Sequence, residues 1–596
     1  MLRSHVTHLV ASAIADLVKA GELPQLVVPI EITDAKNPEH GDYACNYALI
    51  AAKPAGMNPR AIGDKLAAKL AEHPDLDKVD VAGPGFLNLK ITASVIASYV
   101  SKVLELGDDL AKTKTERPKK LNVEFVSVNP NGPITVGSAR GAAFGDALCR
   151  VFSAAGHHVD SEYYINDGVN SEQMRLFAES VKHYYLSALG KDSTMPEKGY
   201  KGDYVEEVAK EVRAIYGDGK FDEATGWFQQ VSQDLMLAQQ RRDLATFGVI
   251  FNDWFSEQSM HDSGLVTRTL QKLRELGTAD EKPYQNIIQD RELPAGEHPQ
   301  EPGPTWLRSS RFGDDKDRVL VRSNGKPAYI AGDLAYMESK LGERKYDKAF
   351  IILGPDHHGY IGRMKAVCQA LGYPLERFEI IIFQIVRFMK EGKPAPMRKR
   401  DGNIYALKDL IEELGANVAP NSPKEEQIRV GVDVTRFFYL MRSHDTHMDF
   451  DIDLATKQSD ENPVFYVQYA HARICSVLKK AEEAGFSVKT KIQTPKLEDP
   501  RELNLIKKIV DLPYETARCA EDYGVHRLTT FAVELARTYH HFYDGCRVIQ
   551  PELPEVSQAR VQLCEATRIG LKATLDLLGV SAPERMDRAA PESPSP

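Results

Sequence analysis

The 596-residue sequence has few cysteines and no long hydrophobic run. Its seven cysteines form no Cys-x-x-Cys pair, which excludes a zinc ribbon, and their odd number argues against a disulfide framework. Apolar stretches such as residues 380–383 are far too short to cross a bilayer. Near the N-terminus, Asp16, Lys19 and Glu22 interrupt the apolar region that a signal peptide needs. We therefore expect a cytoplasmic protein with reduced thiols and no membrane partner.

The chain also lacks an excess of positive charge. Its 75 lysines and arginines against 85 aspartates and glutamates give a net charge of −10. A nucleic-acid partner needs a cationic surface, so this balance argues against such a partner unless basic residues form a local patch. The content of 42% hydrophobic and 27% charged residues, with a mean hydropathy of −0.36, is typical of a globular protein. At about 150 residues per domain, the length predicts about four units.

The first predicted unit is a small α/β domain over residues 1–112. An amphipathic helical pattern opens it, and turn residues followed by alternation at 81–89 predict a strand after a tight turn. The charged segment Lys112–Lys120, which contains Pro118, is the predicted linker to the next unit.

The second predicted unit, residues 118–425, has the pattern of a nucleotide-binding α/β domain. A buried strand at 121–126, a Pro/Gly turn and a helix at 139–155 open it. A charged, mostly helical insertion is predicted at about 175–300. The sheet is expected to resume after it, with strand patterns at 318–321, 349–353 and 378–386.

The last predicted unit is an all-α helical bundle over residues 426–586. Helical periodicity is clear at 503–512, 528–542 and 559–578. A Pro/Ser-rich tail, 587–596, is predicted to be disordered. The predicted fold class is therefore α/β: a Rossmann-type parallel-sheet domain between an N-terminal α/β domain and a C-terminal helical bundle.

Two segments carry possible phosphate chemistry. In residues 129–141, between the predicted strand and helix, glycines let a nucleotide approach the backbone and the helix N-terminus favours an anion. The alternative is structural: Ser138 is an N-cap and Gly137 a tight turn. In residues 396–403, three cations lie on a glycine loop that could close over a polyphosphate, although most charge runs are merely solvated. Neither segment decides alone.

Taken with their surroundings, these segments resemble those of class I aminoacyl-tRNA synthetases, and specifically of arginyl-tRNA synthetases. The similar order is strand, glycine turn, helix, long insertion, Asp-His-His-Gly-Tyr at 356–360, cationic loop and helical bundle. The resemblance covers nearly the whole chain. It is carried by residues 41–43, 83–88, 126–130, 163–167, 436–443, 462–473, 577–580 and 583–586.

The resemblance implies ATP-dependent ligation of L-arginine to tRNA(Arg) through arginyl-adenylate, with ATP and Mg²⁺ and with tRNA needed for the first step. The family is usually monomeric. Glu124 and Asn129 are expected to hold the ammonium and carboxylate of arginine, and Tyr329 and Asp333 to face its guanidinium. A planar guanidinium indeed needs a carboxylate that accepts two parallel hydrogen bonds. A spacing of four places Tyr329 and Asp333 on one face of a helix, although a buried tyrosine and a helix-start aspartate would look the same.

The same resemblance implies the remaining site residues. The expected catalytic residues are Thr135, Gly137, Ser138, Lys399 and Arg400. The expected ATP-binding residues are Pro133, Gly137, Arg140, Asp356, His357, Met397, Arg398 and Lys399. The expected tRNA contacts are Phe86 and Asn88 near the D-loop, and Tyr466, Tyr469, Tyr543 and Arg547 around the anticodon loop. Aromatic residues on a helical bundle are, however, more often core than base platforms. No zinc site is expected, because the histidine pairs at 357–358 and 540–541 lack cysteine partners.

The chain departs from the family at its signatures. Thr135-Val136-Gly137-Ser138 replaces His-Val-Gly-His, and Pro396 to Arg400 replaces Lys-Met-Ser-Lys-Arg, with Arg398 as a stand-in for the lost lysine. Gly168-Val169 replaces Ala-Gly. We expect a slow but genuine arginine ligase. The alternatives are a catalytically impaired paralogue that binds tRNA or regulates, a ligase for another amino acid, and a nucleotide-binding scaffold without a tRNA role.

Overall fold

The computed structural model describes residues 1–35, 37–168, 171–281, 304–395, 404–490, 492 and 496–586. The cationic loop, 396–403, and the predicted disordered tail therefore lie outside the described residues. All seven cysteines are described and free of disulfides, and five of them are buried. None of the helices in these ranges is long and apolar enough to span a bilayer.

The N-terminal part is a four-stranded antiparallel sheet, in the order β1-β2-β4-β3, with four helices. The predicted strand at 81–89 is a hairpin, because the turn residues 83–85 separate two strands. The elements are α1 (Leu2–Lys19), β1 (Ile32–Asp34), β2 (Tyr43–Cys45), α2 (Tyr47–Ala55), α3 (Pro59–Leu70), β3 (Leu76–Ala82), β4 (Phe86–Ile91) and α4 (Ala93–Leu106).

The central part is built on a five-stranded parallel sheet in the order β12-β11-β5-β6-β7. Its elements are β5 (Lys120–Glu124), α5 (Val136–Ala154), β6 (His158–Ile165), α6 (Glu172–Ala188), α7 (Asp203–Tyr216), α8 (Thr225–Thr246), β7 (Asp253–Ser256), α9 (Glu257–Asp262), α10 (Leu265–Glu275), β8 (Ala279–Asp280), β9 (Thr305–Leu307), β10 (Arg318–Val321), α11 (Tyr329–Glu338), β11 (Lys348–Leu353), α12 (Tyr360–Ala370) and β12 (Phe378–Ile382). Helices α6, α7 and α8 enclose an apolar cluster of their own.

The C-terminal part is mainly helical. Its elements are β13 (Val386–Lys390), β14 (Lys393–Ala395), α13 (Leu407–Val418), α14 (Lys424–Leu440), β15 (Met448–Asp451), α15 (Ile452–Thr456), α16 (Pro463–Glu483), α17 (Pro500–Val510), α18 (Leu512–Asp522), α19 (His526–Gly545) and α20 (Pro554–Leu578). The predicted boundary between residues 425 and 426 falls inside helix α14.

Three predictions about strands are wrong. The parallel sheet regains a strand at β7, inside the segment predicted to be a helical insertion, because a short edge strand with the sequence Asp-Trp-Phe-Ser has no aliphatic run to reveal it. Strand β10 joins the small antiparallel sheet β10-β9-β8 and not the parallel sheet. Strand β15 lies in the region predicted to be all helical, and it pairs with β13.

Helix α5 lies very close to the sheet. A Cβ atom at Gly141 would come within 2.6 Å of the Phe383 ring, and one at Gly145 would overlap the Phe125 ring. Glycine at these positions therefore brings the N-terminus of α5 close to the carboxyl ends of the strands. Ligands of open parallel sheets bind at that edge.

Candidate active site

The loop that follows β5 begins with unusual backbone geometry. Val126 and Ser127 both have positive φ angles, 70° and 42°, although neither is glycine. Such conformations cost about 1–3 kcal/mol each and concentrate at functional sites. The Ser127 hydroxyl accepts a hydrogen bond from Tyr164 N (3.0 Å) and donates to Glu124 Oε1 (3.4 Å). The ends of β5 and β6 are thereby joined.

We call residues 126–135 the signature loop. The buried side chain of Gln240, on α8, donates to the carbonyls of Asn129 (3.2 Å) and Gly132 (2.8 Å). The Tyr163 hydroxyl lies 3.0 Å from Gln240 Oε1 and 2.9 Å from Val128 O. A residue of the inserted helices therefore fixes this loop, and no sequence motif pointed to Gln240.

At the N-terminus of α5, two hydroxyls bind each other. Thr135 is the N-cap: its Oγ1 accepts a hydrogen bond from Ser138 N at 3.2 Å and lies 3.1 Å from Ser138 Oγ. The prediction that Ser138 is the N-cap and Gly137 a tight turn is therefore wrong, because Thr135 caps the helix and both residues lie within it. Gly137 lies in the first turn of the helix, and Pro133 is buried in the loop before it.

Met397, Arg398, Lys399 and Arg400 lie outside the described residues, but the chain on either side of the cationic loop is described. Strand β14 ends at Ala395. After the loop, Leu407 N donates to Ile134 O (2.8 Å) and Val136 N donates to Tyr405 O (3.2 Å). The segment that leaves the cationic loop is therefore bound to the first turn of α5.

The prediction that Arg140 binds ATP is wrong for this structure. Its side chain is 1% exposed, and its guanidinium donates to the carbonyls of Gln384 (2.7 Å), Thr446 (2.9 Å) and Ser443 (2.8 Å). Burial lowers the pKa of this guanidinium to about 10. Three carbonyls engage it because α5 packs closely on the segments that flank β13 and β15. Arg140 therefore holds the fold together.

Asp356 and His357 lie on the same edge of the sheet as the signature loop. They form a short 3₁₀ turn directly after β11, and both are exposed. The structure therefore leaves them accessible to a ligand at the N-terminus of α5.

Beside this edge lies a cluster of acidic side chains that we call the acidic pocket. Two tyrosine–carboxylate pairs form it: the Tyr360 hydroxyl donates to Asp333 Oδ1 at 2.7 Å, and Tyr164 hydrogen-bonds to Glu257. Glu124 and Asp167 are close enough to affect these groups electrostatically. Glu257 and Asp167 were not assigned from the sequence. The available signal for Asp167 was its place in the family-like segment 163–167, whereas Glu257 follows β7, which the sequence does not reveal.

The pKa values describe the electrostatics of this pocket. Burial and the charge of Glu124 raise the pKa of Asp333 to about 6, although Tyr360 and Arg363 act in the opposite direction. Burial, Asp167 and Asp333 raise the pKa of Glu257 above its ordinary value, against His261. The carboxylates repel one another because they lie close together. Little positive charge lies among them to offset this repulsion. A cationic ligand relieves that repulsion.

The other two predicted arginine contacts are placed differently. Tyr329 is 87% exposed because it is the first residue of α11, so the structure does not bring it into the acidic pocket with Asp333. The Asn129 amide donates to Gln173 Oε1 (2.7 Å) and accepts from Asn166 Nδ2 (2.9 Å), which leaves it one further donor hydrogen.

A buried ionic network lies beneath the acidic pocket. Lys340 bridges Glu124 of β5 and Glu162 of β6, and the Tyr336 hydroxyl and Arg344 also bind Glu162. Lys340, Glu162 and Arg344 were not predicted from the sequence as parts of a site. The signal was present, because continuing the helical spacing from Asp333 leads to Tyr336 and Lys340.

The predicted tRNA contacts lie on two surfaces. On the shared face of α16 and α19, Tyr466 packs on His540 with ring centroids 5.1 Å apart, and Arg473 lies 4.2 Å from the Tyr543 ring centroid. Tyr469 is half-buried and 6.1 Å from the Phe465 ring, and Arg547 is exposed beyond α19.

In the N-terminal sheet, the two predicted D-loop contacts differ in exposure. The side chain of Phe86 is 42% exposed, but Asn88 is only 8% exposed, between Ala44 and Asp80 of the neighbouring strands. Phe86 is therefore accessible to a ligand and Asn88 is buried in the sheet, and both stay predictions as D-loop contacts.

Comparisons with known proteins agree along the chain. Residues 4–91 match the family described as arginyl tRNA synthetase N terminal domain, and residues 467–586 match the DALR anticodon binding domain. The chain is 40% identical over 577 residues to an arginine–tRNA ligase of Bacillus licheniformis, covering 96% of both chains. It is 40% identical over 578 residues to the arginine–tRNA ligase of Bacillus subtilis, covering 96% of this chain and 97% of the relative.

Solved structures show the same similarity. A Campylobacter jejuni protein described as an arginyl tRNA synthetase has a TM-score of 0.71 at 30% identity, covering 83% of this chain and all of that one. The Thermus thermophilus arginyl-tRNA synthetase has a TM-score of 0.71 at 22% identity, covering 98% of this chain and 100% of that one, which supports the fold.

Proposed function

This chain belongs to the arginyl-tRNA synthetase family, and we propose that its acidic pocket binds L-arginine beside a nucleotide site at the N-terminus of α5. The chain ligates L-arginine to tRNA in a reaction that uses ATP. The observation that carries the site assignment is the pair of tyrosine-bound carboxylates, Asp333 with Tyr360 and Glu257 with Tyr164. Neighbouring carboxylates with raised pKa values suit a ligand that brings its own positive charge.

The reaction has two steps. An oxygen of the arginine carboxylate attacks the α-phosphorus of ATP, pyrophosphate leaves, and arginyl-adenylate forms. A hydroxyl of the terminal ribose of tRNA then attacks the arginyl carbonyl carbon and releases AMP. Neither step needs a covalent bond to the protein, so the protein contributes by positioning its substrates and stabilising charge.

Mg²⁺ is proposed to enter as the magnesium complex of ATP. Within the described ranges, no three His, Cys, Asp or Glu side chains converge as a metal site. Mg²⁺ in such enzymes is commonly held through substrate phosphates and few protein ligands.

For arginine, each polar group has a proposed partner. The guanidinium lies between Asp333, which accepts two parallel hydrogen bonds, and Glu257. The α-ammonium binds Glu124, and the remaining donor of Asn129 serves the carboxylate. Lysine is rejected because its ammonium leaves the carboxylates half-paired in a buried pocket.

For ATP, the proposed site combines the N-terminus of α5 with the exposed residues Asp356 and His357. The helix N-terminus favours the phosphates, and the cations of residues 398–400 supply charge for the pyrophosphate. Thr135 and Ser138, which bind each other and lack the positive charge of histidine, are proposed to stabilise the transition state only in part. This is the basis for proposing a slow ligase.

For tRNA(Arg), the proposed contact surface is the face of α16 and α19 that carries Tyr466, Tyr543 and Arg473. RNA loops are recognised through unstacked bases that pack on aromatic rings and arginine planes. We propose a monomer as the active form, which is the usual form in this family.

We expect Tyr543→Ala to weaken tRNA binding about 5- to 150-fold, because base stacking on an aromatic ring is worth about 1–3 kcal/mol. Filter binding at several salt concentrations measures the affinity, with the melting temperature as the folding control. Affinity that does not change with salt would contradict the proposed RNA surface.

ATP–pyrophosphate exchange with each amino acid, with and without tRNA, tests the proposed function. We expect exchange with L-arginine alone, and only when tRNA is present. Exchange with another amino acid would overturn the arginine assignment. Tight tRNA binding without exchange would identify an impaired paralogue.

A further inference from the structure

Lys340 is a buried cation that none of the proposed substrate contacts uses. Its side chain is 1% exposed. Its Nζ lies 2.9 Å from Glu124 Oε2, 2.8 Å from Glu162 Oε1 and 2.6 Å from Asn122 Oδ1. An ammonium has three donor hydrogens, so these acceptors on β5 and β6 use all of them. Such complete pairing is what a buried ammonium requires.

The two carboxylates depend on Lys340 to different degrees. Arg344 and the Tyr336 hydroxyl also bind Glu162. Burial opposes the ionisation of Glu162, yet Lys340 and Arg344 hold its pKa well below the usual range. For Glu124, Lys340 is the only cation within 4 Å in the part of the chain that the structure describes, and the Tyr336 side chain also hydrogen-bonds to it. The other Glu124 oxygen, Oε1, lies 3.4 Å from Ser127 Oγ at the start of the signature loop.

The local backbone places Lys340 at this point. Helix α11 changes into a π-helical turn at Ser339–Glu343, and such turns are frequent at functional sites. Asp333, Tyr336 and Lys340 follow one helical face, and the Lys340 ammonium also lies 4.2 Å from the Tyr336 ring centroid. This helical face therefore carries both Asp333 of the acidic pocket and the Lys340 ammonium below it.

We propose that Lys340 is a positioning residue for the substrate amino group: it holds Glu124 by Oε2 and thereby presents Oε1 to the α-ammonium of arginine. This inference rests on the proposed function. If Lys340 instead only balances buried charge, its loss should weaken the binding of every ligand of the pocket equally.

Two ligands separate these cases. L-arginine carries the α-ammonium, whereas 5-guanidinopentanoate has the same guanidinium and carboxylate without the amino group. Isothermal titration calorimetry on the full chain, with ATP present, measures both dissociation constants. For Lys340→Met we expect the Kd of L-arginine to rise roughly tenfold to a hundredfold, the loss typical of one charged hydrogen bond. The Kd of 5-guanidinopentanoate should change less than about twofold.

Lys272→Met is the matched control, because Lys272 pairs with Glu338 of the same helix α11 at 2.7 Å but does not contact Glu124. It should leave both constants unchanged. If Lys340→Met does not fold, Lys340→Arg makes the same comparison, because its planar fork keeps the charge but cannot place one nitrogen against three acceptors.

Equal weakening of both ligands by the Lys340 variants would overturn the proposal, and so would no weakening of either. Glu124→Gln should show the same selectivity as Lys340→Met. If Glu124→Gln is selective and Lys340→Met is not, the role of Lys340 is refuted while that of Glu124 stands. Failure of the unmodified chain to bind either ligand would instead contradict the proposed function.

Discussion

The proposed role of Asp333 predicts how arginine binding depends on pH. The carboxyl group in the free pocket has its pKa raised to about 6 by burial and by Glu124. Below that pH it is protonated and cannot pair with a guanidinium. The KM for arginine should therefore rise roughly tenfold between pH 7 and pH 5, measured by pyrophosphate exchange.

Asp333→Asn should raise the arginine KM by roughly 30-fold or more at pH 7, because removing one partner of a buried charge pair costs about 2–5 kcal/mol. The acid dependence should disappear in this variant, and the KM for ATP should change little. The assignment would be refuted if the arginine KM of Asp333→Asn equalled that of the unmodified chain, or if it still rose between pH 7 and pH 5.

Thr135 and Ser138 test whether the altered signature limits the rate. Each missing transition-state donor typically costs about 3–4 kcal/mol, so Thr135→His with Ser138→His should raise the rate of tRNA aminoacylation. The same change removes the N-cap of α5 and should lower the free energy of unfolding by about 1 kcal/mol. Thr135→Asn is the control, because asparagine keeps the cap without supplying an imidazole.

No product from the unmodified chain and recovery in the double histidine variant would establish an inactive paralogue. Equal high rates in both would show that the histidines are dispensable in this site. Effects of the two positions are expected to be non-additive, since both serve the same phosphates.

At the scale of elements, helix α8 fixes the signature loop through one side chain. Gln240→Leu keeps the volume but leaves the carbonyls of Asn129 and Gly132 without their donor. We expect the exchange rate to fall on the order of tenfold, because each lost hydrogen bond is worth about 1 kcal/mol. Gln230→Leu is the matched control on the exposed face of α8, where Gln230 reaches only Asp234. An equal loss in both variants would contradict this role of Gln240.

The sequence predicts some elements better than others for physical reasons. Strand β5 and helix α5 follow from an apolar run, a Pro/Gly turn and a long helical period. Strand β7 is too short and polar to be recognised, and only its pairing with β6 makes it part of the sheet.

The residues of the candidate site also differ in how well the sequence predicts them. Asp333 was predicted from family resemblance and its chemistry, and it lies in the acidic pocket. Glu162 and Lys340 were missed because a single charged residue in a strand or helix pattern normally faces solvent. Their pairing across 178 positions is visible only in three dimensions.

The net charge of −10 does not describe how charge is distributed over the protein. Arg473 and Arg537 lie beside Tyr543 and Tyr466 on the face of α16 and α19. An acidic chain can therefore carry arginines beside the aromatic rings proposed to contact RNA, although Asp460 and Asp544 also lie near Tyr466, while the proposed arginine site is acidic. The two proposed ligands need opposite electrostatics, and the fold places them on different surfaces.

Arg436, fully buried on α14, joins the central and C-terminal parts of the fold. It binds Asp146 of α5 and donates to the carbonyls of Phe247 after α8 and Leu578 at the end of α20, both at 3.0 Å. Arg436→Met leaves Asp146 paired with Arg150 alone and removes the donor of two buried carbonyls, so we expect the free energy of unfolding to fall by about 1–3 kcal/mol. Urea denaturation measures this free energy.

Arg387→Met, which breaks an exposed pair with Asp449, is the control and should cost less than about 0.5 kcal/mol. Similar losses in both variants would show that Arg436 does not link these parts, and stability would then rest on apolar packing alone.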